Sequence, residues 1–311
     1  MTLTYETVDV FTDTAFGGNP LAVVFGAEDL STEAMQRIAR EFNYSETTFV
    51  LPPADPANTA RVRIFSCKRE MPFAGHPNVG TATVLAWRGE AFGRPLGDRL
   101  VFEEIAGTVP MAIRSEAGRP VGAMLTAPAA FSTGAEASVE DVAACIGLTP
   151  AEIRTDAHRP MVASGGLPFL VAELTDRAAL ERSAPDTAAF GSAPSVVPHG
   201  AILCYVRTGG PNTGPLSTGG ADEVDIRARM FAPIRNVAED PATGSANVAL
   251  MGLLASLQAE PGTLVRRIAQ GVEMGRPSML EGEADWAGGK VTAIRIGGRC
   301  APVMRGELLA F

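Results

Sequence analysis

Two stretches of this 311-residue chain, His76–Trp87 and the run that starts at Thr243-Gly244-Ser245 and continues to Leu257, pattern as helices that are apolar on every side. A surface helix carries one apolar stripe, whereas a helix that is apolar all round has to be enclosed. The chain must therefore build something that surrounds each of them. Both helices begin behind a small polar cluster, "FAGHP" at 73–77 and "EDPATGSA" at 239–246. The first N–H groups of a helix lack intrahelical partners, so each cluster faces orphan donors at the positive end of a helix dipole.

The two stretches follow one plan. "RIFSCKREMPFAGHPNVGTATVLA" (63–86) and "RMFAPIRNVAEDPATGSANVALMGLLA" (229–255) each run from an Arg-apolar-Phe triplet at a strand end through a loop of about ten residues to a Gly-centred cluster and an apolar helix. A unit of this length occurring twice is a duplication and not a solenoid. Around the helices the chain is β-rich, with strand patterns at 3–11, 20–25, 47–51, 60–66, 99–104, 108–114, 121–126, 161–164, 168–173, 200–206 and 226–232 and several more towards the C-terminus. "STEAMQRIAREFN" (31–43) reads as an amphipathic helix begun by Ser31 or Thr32, with Met35, Ile38, Ala39 and Phe42 on one face. "VEDVAACIG" reads as a short helix stopped by Gly147. The small, polar segment 127–138 reads as a linker, and the Gly/Pro-rich segment 207–223 as a loop. The expected fold is α+β, in two pseudo-symmetric domains, each a curled β-sheet around a central apolar helix.

Composition narrows the function. Hydrophobic residues make up 46% and charged residues 20%, the balance of a soluble globular protein. A formal charge of −9, with no basic run, argues against a nucleic-acid binder, so any positive field for an anionic ligand must be local. No secretory signal and no run of membrane-spanning length is visible, so a cytoplasmic protein without a membrane partner is expected. The cysteines at 67, 145, 204 and 300 are far apart and form no C-x-x-C pair, which points to reduced thiols and not to a disulfide framework or a zinc site. Lysine occurs only at 68 and 290, leaving few candidates for Schiff-base chemistry.

The stretches "FGGNPLAVVF", "FNYSETTFVL", "RIFS", "MPFAGHP", "MFAPIRNVAEDPATGSAN", "QGVEMGRPS" and "VMRGEL" occur in order along nearly the whole chain. Together they resemble the PhzF-like family, named for the isomerase of phenazine biosynthesis and related in fold to diaminopimelate epimerase. The resemblance implies a first domain at 1–127, to which a last strand at about 298–311 returns, and a second at 128–297. It also implies an active site in the cleft between them, a homodimer and no cofactor or metal. Both core-helix N-termini would face that cleft and hold a substrate carboxylate without lysine or arginine. The namesake's chemistry is a suprafacial proton shift on trans-2,3-dihydro-3-hydroxyanthranilate, followed by tautomerisation.

Glu46, in "NYSETTFV", would by itself be a loop glutamate; the resemblance makes it the group that takes a proton from carbon, work that gains from partial burial. His76, one of three histidines, is by itself a cap or a packed polar group and by resemblance a catalytic residue that hydrogen-bonds or protonates the substrate. Asp240 is by position an N-cap and by resemblance a third catalytic residue. Ser245 could cap the helix or touch the substrate, and Asn19 could be only a turn residue. With Ser45, Gly75, Thr243 and Gly244 they complete the substrate-binding set that the resemblance implies. The epimerase relatives place a cysteine on each side of the substrate carbon, and neither Gly-centred cluster here contains one. One shuttling carboxylate fits a proton shift on one face of the substrate better than inversion, which needs a group on each face. An epimerase or racemase of a small amino acid remains open, with His76 and Asp240 on opposite faces, as does a binding protein without turnover. A serine hydrolase built from Ser245, His76 and Asp240 is opposed by the absence of a G-x-S-x-G elbow, and nucleotide binding by the absence of a phosphate loop.

Overall fold

Residues 3–208, 224–235 and 237–309 are described in the computed structural model, and most of the glycine-rich segment read as a loop lies outside them. The chain divides into two compact units, one of residues 1–128 with 297–311 and one of residues 129–296. Each is built around one of the two apolar helices.

In the first unit, β1 (Leu3–Val10) and β2 (Asn19–Phe25) form an antiparallel hairpin. A crossover helix, α1 (Thr32–Phe42), then leads to β3 (Glu46–Leu51), which lies parallel to β2. β4 (Ala60–Ser66) returns antiparallel, and after the short β5 (Glu70–Met71) the chain enters α2 (Gly75–Arg88). β6 (Arg99–Glu104) lies parallel to β4, and β7 (Gly107–Glu116) and β8 (Arg119–Thr126) follow as antiparallel neighbours. The C-terminal strand pairs with β8 on one side and antiparallel with β1 on the other, closing the sheet into an eight-stranded barrel.

Every residue of α2 from Gly75 to Leu85 is buried inside this ring. The helix fits because its middle is small: a Cβ on Gly80 would lie 2.6 Å from Leu21 Cδ2 and 2.8 Å from Val10 Cγ2. Its buried hydroxyls are satisfied, Thr81 by Thr48 at 2.8 Å and Thr83 by the Val79 carbonyl at 2.7 Å. Burying side chains such as Val84 and Leu85 contributes about 1.5–3 kcal/mol each. Outside the ring, α1 lays Met35, Ile38 and Ala39 on Phe49 and Phe65. Its N-cap is Ser31, whose hydroxyl accepts from Ala34 N–H, and it ends at Asn43 in the left-handed conformation at φ 54°. That reversal aims the chain straight into β3, whose first residue is Glu46.

The second unit repeats the plan. β9 (Ser132–Glu136), α3 (Val139–Cys145), β10 (Met161–Ser164) and β11 (Pro168–Leu174) are followed by α4 (Arg177–Arg182) and α5 (Thr187–Ser192). Then come β12 (Ile202–Arg207), β13 (Ile226–Ala232), the short β14 (Val237–Asp240) and the enclosed helix α6 (Gly244–Ser256). β15 (Gly262–Gln270), β16 (Ser278–Ala287) and β17 (Lys290–Leu308) complete the chain, and the far half of β17 is the closing strand of the first unit. From β10 to β15 the neighbours alternate antiparallel, parallel, antiparallel and parallel, as they do from β1 to β6. This is an α+β fold of two pseudo-symmetric halves, of diaminopimelate epimerase type.

Residues 127–138 are not a plain linker. Ser132–Glu136 pairs with β10 as a strand exposed along its whole length, which explains its small, polar composition. Phe131 anchors its start against Gly252 of α6, where a Cβ would lie 2.2 Å from the ring. The helices α4 and α5, each begun by an aspartate cap (Asp176 and Asp186), have no counterpart in the sequence reading.

The barrel seam of the first unit depends on glycine. A Cβ on Gly122 would lie 2.1 Å from the Gly298 carbonyl oxygen and 2.8 Å from Arg299 Cα. Gly122→Ala is expected to force the seam apart and cost about 1–3 kcal/mol, the usual range for overpacking. Urea unfolding should show a lower midpoint for it, and none for Gly97→Ala, where nothing lies within 4 Å of the added carbon.

Candidate active site

The first unit gathers one group of polar side chains at the start of α2. Glu46 opens β3, opposite Ser66 on β4 and Leu21 on β2, and its Oε2 lies 3.5 Å from His76 Nδ1. The His76 ring is almost wholly buried, at 5% side-chain exposure, while the Glu46 side chain keeps 19%. Asn19, the first residue of β2, places its Nδ2 3.3 Å from His76 Nδ1, and Ser45 Oγ donates to Asn19 Oδ1 at 3.4 Å. Nδ1 of His76 thus lies between the Asn19 side-chain amide and the Glu46 carboxylate. Burial penalises the imidazolium and pushes the His76 pKa down to about 3, with the Pro20 backbone offsetting only part. The ring is neutral at ordinary pH, and its approach to Glu46 is a polar contact and not an ion pair.

The second unit gathers an equivalent group at the start of α6. Asp240 is not the helix N-cap: it ends β14, and Thr243 holds the N-cap position. Thr243 Oγ1 donates to Asp240 Oδ2 in a short hydrogen bond. Gln270, fully buried at the end of β15, braces this turn from below. Its Nε2 donates to the Asp240 carbonyl at 2.8 Å and to Thr243 Oγ1 at 3.2 Å, and its Oε1 accepts from Thr243 N–H at 3.3 Å and Asn247 Nδ2 at 2.8 Å. Asp240, Thr243 and Ser245 are each 8% exposed, so the group is shielded but not sealed.

Neither core helix has a hydrogen bond from an N-cap side chain, and neither carries an acidic residue in its first turn; the carboxylates beside the two helix starts are those of Glu46 and Asp240. Gly75 and Gly244 are the first helical residues, with His76 and Ser245 next in the two copies. Asn78 and Asn247 donate to the Ala74 and Thr243 carbonyls, each at 3.0 Å, and tie each first turn to its cap. A doubly bonded Arg–Glu pair fixes each approach loop, Arg63 with Glu70 at 2.6 and 2.7 Å and Arg229 with Glu239 at 2.8 Å twice.

The structure thus brings Asn19, Ser45, Glu46, Gly75 and His76 together in one group, and Asp240, Thr243, Gly244 and Ser245 in another. The sequence reading passed over Asn78, Asn247 and Gln270. Aligning the two copies on their Gly-centred clusters would have exposed the asparagines, whereas Gln270 reaches its partners from a distant strand. Among the described residues no group of three or more His, Cys, Asp or Glu could hold a metal ion. Burial pushes the thiols of Cys145, Cys204 and Cys300 up to about 12, and it also raises that of Cys67, whose Sγ lies 3.2 Å from the Tyr44 carbonyl. None of the four suits proton abstraction as a thiolate.

The sequence matches the phenazine biosynthesis-like protein family over residues 8–306. It is 36% identical over 307 residues to the trans-2,3-dihydro-3-hydroxyanthranilate isomerase of Pseudomonas aeruginosa, covering 97% of this chain and 98% of that one. An uncharacterized isomerase of Mesorhizobium japonicum is 37% identical over 308 residues, covering 99% of each chain. A PhzF family protein of Bacillus anthracis, whose crystal structure is known, superposes with a TM-score of 0.84 at 25% identity over the whole of both chains. The chain, with polar groups at the starts of both enclosed helices, is an isomerase. The chain belongs to the phenazine biosynthesis-like protein family.

The depressed pKa of His76 has a stability consequence. Between the folded value of about 3 and the ordinary value near 6.5, the unfolded chain binds the extra proton. The stability contributed by the neutral ring is therefore complete above about pH 6.5 and is lost as pH falls towards 3. In an NMR titration the His76 ring signals should stay flat from pH 8 down to pH 5; a midpoint near 6.5 would show that the ring is not held neutral.

Proposed function

We propose that this isomerase moves a proton between two carbons of a small cyclic, unsaturated amino or hydroxy acid, with Glu46 taking the proton and returning it on the same face. The observation that carries this reading is the Glu46 carboxylate, partly exposed and 3.5 Å from a buried, neutral imidazole. A cationic ring would bind the carboxylate as an ion pair, whereas a neutral one leaves it able to accept a proton from carbon. Proton transfer by a positioned side chain is worth roughly 10²–10⁴-fold in rate.

In this reading the N–H groups at the start of a core helix, Gly75–His76 or Gly244–Ser245, hold the substrate's carboxylate. Preorganised backbone donors of this kind stabilise charge that develops as the carbon is deprotonated. His76 hydrogen-bonds or protonates the substrate, Asp240 receives its amino or hydroxyl group, and Asn19, Ser45 and Thr243 fix its orientation. The isomerase named for trans-2,3-dihydro-3-hydroxyanthranilate, alike over nearly the full length of both chains, makes that compound the first substrate to offer. No cofactor or metal enters the mechanism, and the enzyme works as a cytoplasmic homodimer. The lack of a thiol suited to abstraction supports a one-base shift over a two-base inversion.

Incubation of the protein in D₂O with trans-2,3-dihydro-3-hydroxyanthranilate and a panel of small cyclic amino and hydroxy acids tests the reading. Mass spectrometry should show deuterium entry with a shifted double bond, reduced at least about 10²-fold in Glu46→Gln. Exchange with loss of optical purity but no shifted double bond would make the enzyme an epimerase instead. Undiminished turnover in Glu46→Gln would remove Glu46 from the mechanism. Dialysis against EDTA should leave the rate unchanged, and a loss restored by one metal would overturn the metal-free mechanism.

A further inference from the structure

The duplication exposes one residue whose chemistry differs from its counterpart in a telling way. β6 lies parallel to β4 with Ala60 opposite Phe102, and β15 lies parallel to β13 with Ile226 opposite Ile268. Two residues further along these strands come Glu104 and Gln270. Likewise Met71 lies opposite Ile64, and Asp240 opposite Met230, at the entry to each core helix. Glu104 therefore occupies, beneath the start of α2, the position from which Gln270 braces the start of α6. Both oxygens of its carboxyl are buried without a hydrogen bond of normal length, and the polar side chain beside them is Asn78.

A glutamine in this place does two things: its oxygen accepts and its nitrogen donates. A carboxylate can only accept, but a neutral carboxylic acid can do both. We propose that Glu104 works as the neutral acid, the counterpart of Gln270, and is a positioning residue for the Glu46–His76 pair. Its carbonyl oxygen would accept from the Asn78 amide, as Gln270 Oε1 accepts from Asn247, and its O–H would donate to the Met71 carbonyl, as Gln270 Nε2 donates to that of Asp240.

The surroundings favour the acid form. Glu104 lines a recess of about 480 Å³ with Met71 and the charged Arg61, Arg63, Glu70 and Glu103. Arg63 is committed to Glu70 by two hydrogen bonds, and Glu103 accepts from the Ala54 and Asp55 N–H groups and from Asn58. The first turn of α2 adds no charge, since it carries no acidic residue and His76 is neutral. Burial pushes the Glu104 pKa up to about 8, with the Asn78 side chain offsetting part of the rise. The loop that follows is tied to the same turn by the Ala106 N–H, which donates to the Pro72 carbonyl at 3.0 Å. Loss of the Glu104 proton would leave a buried anion under the turn that carries Gly75 and His76.

The positioning role rests on the function proposed above, whereas the protonation state can be tested without substrate. Between the ordinary value near 4.5 and the folded value of about 8 the native protein holds more protons than the unfolded chain. Stability from this group is thus complete below about pH 4.5 and is lost as pH rises to 8. A ¹³C-carboxyl NMR titration of the wild-type protein should show one glutamate titrating near pH 8. The melting temperature of Glu104→Gln should gain on that of the wild type as pH rises from 5 to 8 and keep a constant lead above. If every glutamate titrates below pH 6, or if the two proteins share one pH dependence of melting, the neutral-acid assignment is overturned.

Turnover tests the positioning role separately. One unit above its pKa about nine-tenths of Glu104 is ionised, so wild-type kcat at pH 9 should fall roughly 10-fold from its maximum. Glu104→Gln should remove that alkaline limb, and Glu104→Ala should be impaired at every pH. An alkaline limb that persists unchanged in Glu104→Gln would refute the positioning role even if the NMR titration succeeds. A silent substrate panel would count against the proposed function and leave the titration and melting results standing.

Discussion

An α-helix placed inside a closed sheet has satisfied every backbone group except those at its ends, and from this constraint most of the site follows. Side-chain volume is limited in such an interior, which is why the middle of α2 is Gly80-Thr81-Ala82-Thr83 and why Gly252 of α6 admits the Phe131 ring. The only polar backbone the enclosed helix can offer is its first-turn N–H groups at one mouth and its last carbonyls at the other. In a chain with a net charge of −9 and two lysines, those N–H groups supply positive potential without a cationic side chain. That potential comes from the backbone and therefore does not titrate.

The two copies show which parts of the frame are structural and which are free to diverge. The Arg–Glu pair at each approach loop and the asparagine that ties each first turn to its cap recur in both, with the same geometry. They set where the helix begins and how the loop arrives. The residues that differ lie at the candidate site: His76 stands where the other copy has Ser245, and Met71 where it has Asp240. Hydrogen-bonding capacity at the helix start is held by the frame, so one copy can set a carboxylate beside an imidazole while the other sets a carboxylate against a hydroxyl.

The sequence disclosed those features whose cause is local. All-round apolarity required enclosure, the spacing of Met35, Ile38, Ala39 and Phe42 described α1, and the repeated Arg-apolar-Phe and Gly-centred clusters disclosed the duplication. What stayed hidden depends on contacts across many residues. Ser132–Glu136 has nothing apolar to mark it, and it is a strand because β10 offers an edge and Phe131 has a place over Gly252. Asp240 before an apolar helix has the pattern of an N-cap, but a three-residue offset from Thr243, which takes the N-cap position, moves it out of that role. Gln270 joins the site from a strand 27 residues beyond Thr243, and no periodicity encodes that. The neutrality of His76 is likewise a product of burial, which the residue type alone does not fix.

That neutrality also bears on why the site uses a carboxylate and an imidazole in place of the paired thiols expected of an epimerase. A thiol buried as deeply as Cys204 or Cys300 keeps its proton, because the pocket that shields it also penalises the thiolate. Glu46 escapes this difficulty by its position at a strand start, where its side chain keeps 19% of its exposure while the imidazole behind it takes the burial. The buried partner is thus the uncharged one, and the partly solvated partner is the carboxylate. Dividing burial in this way leaves the carboxylate open to solvent while the ring beside it is shielded and neutral.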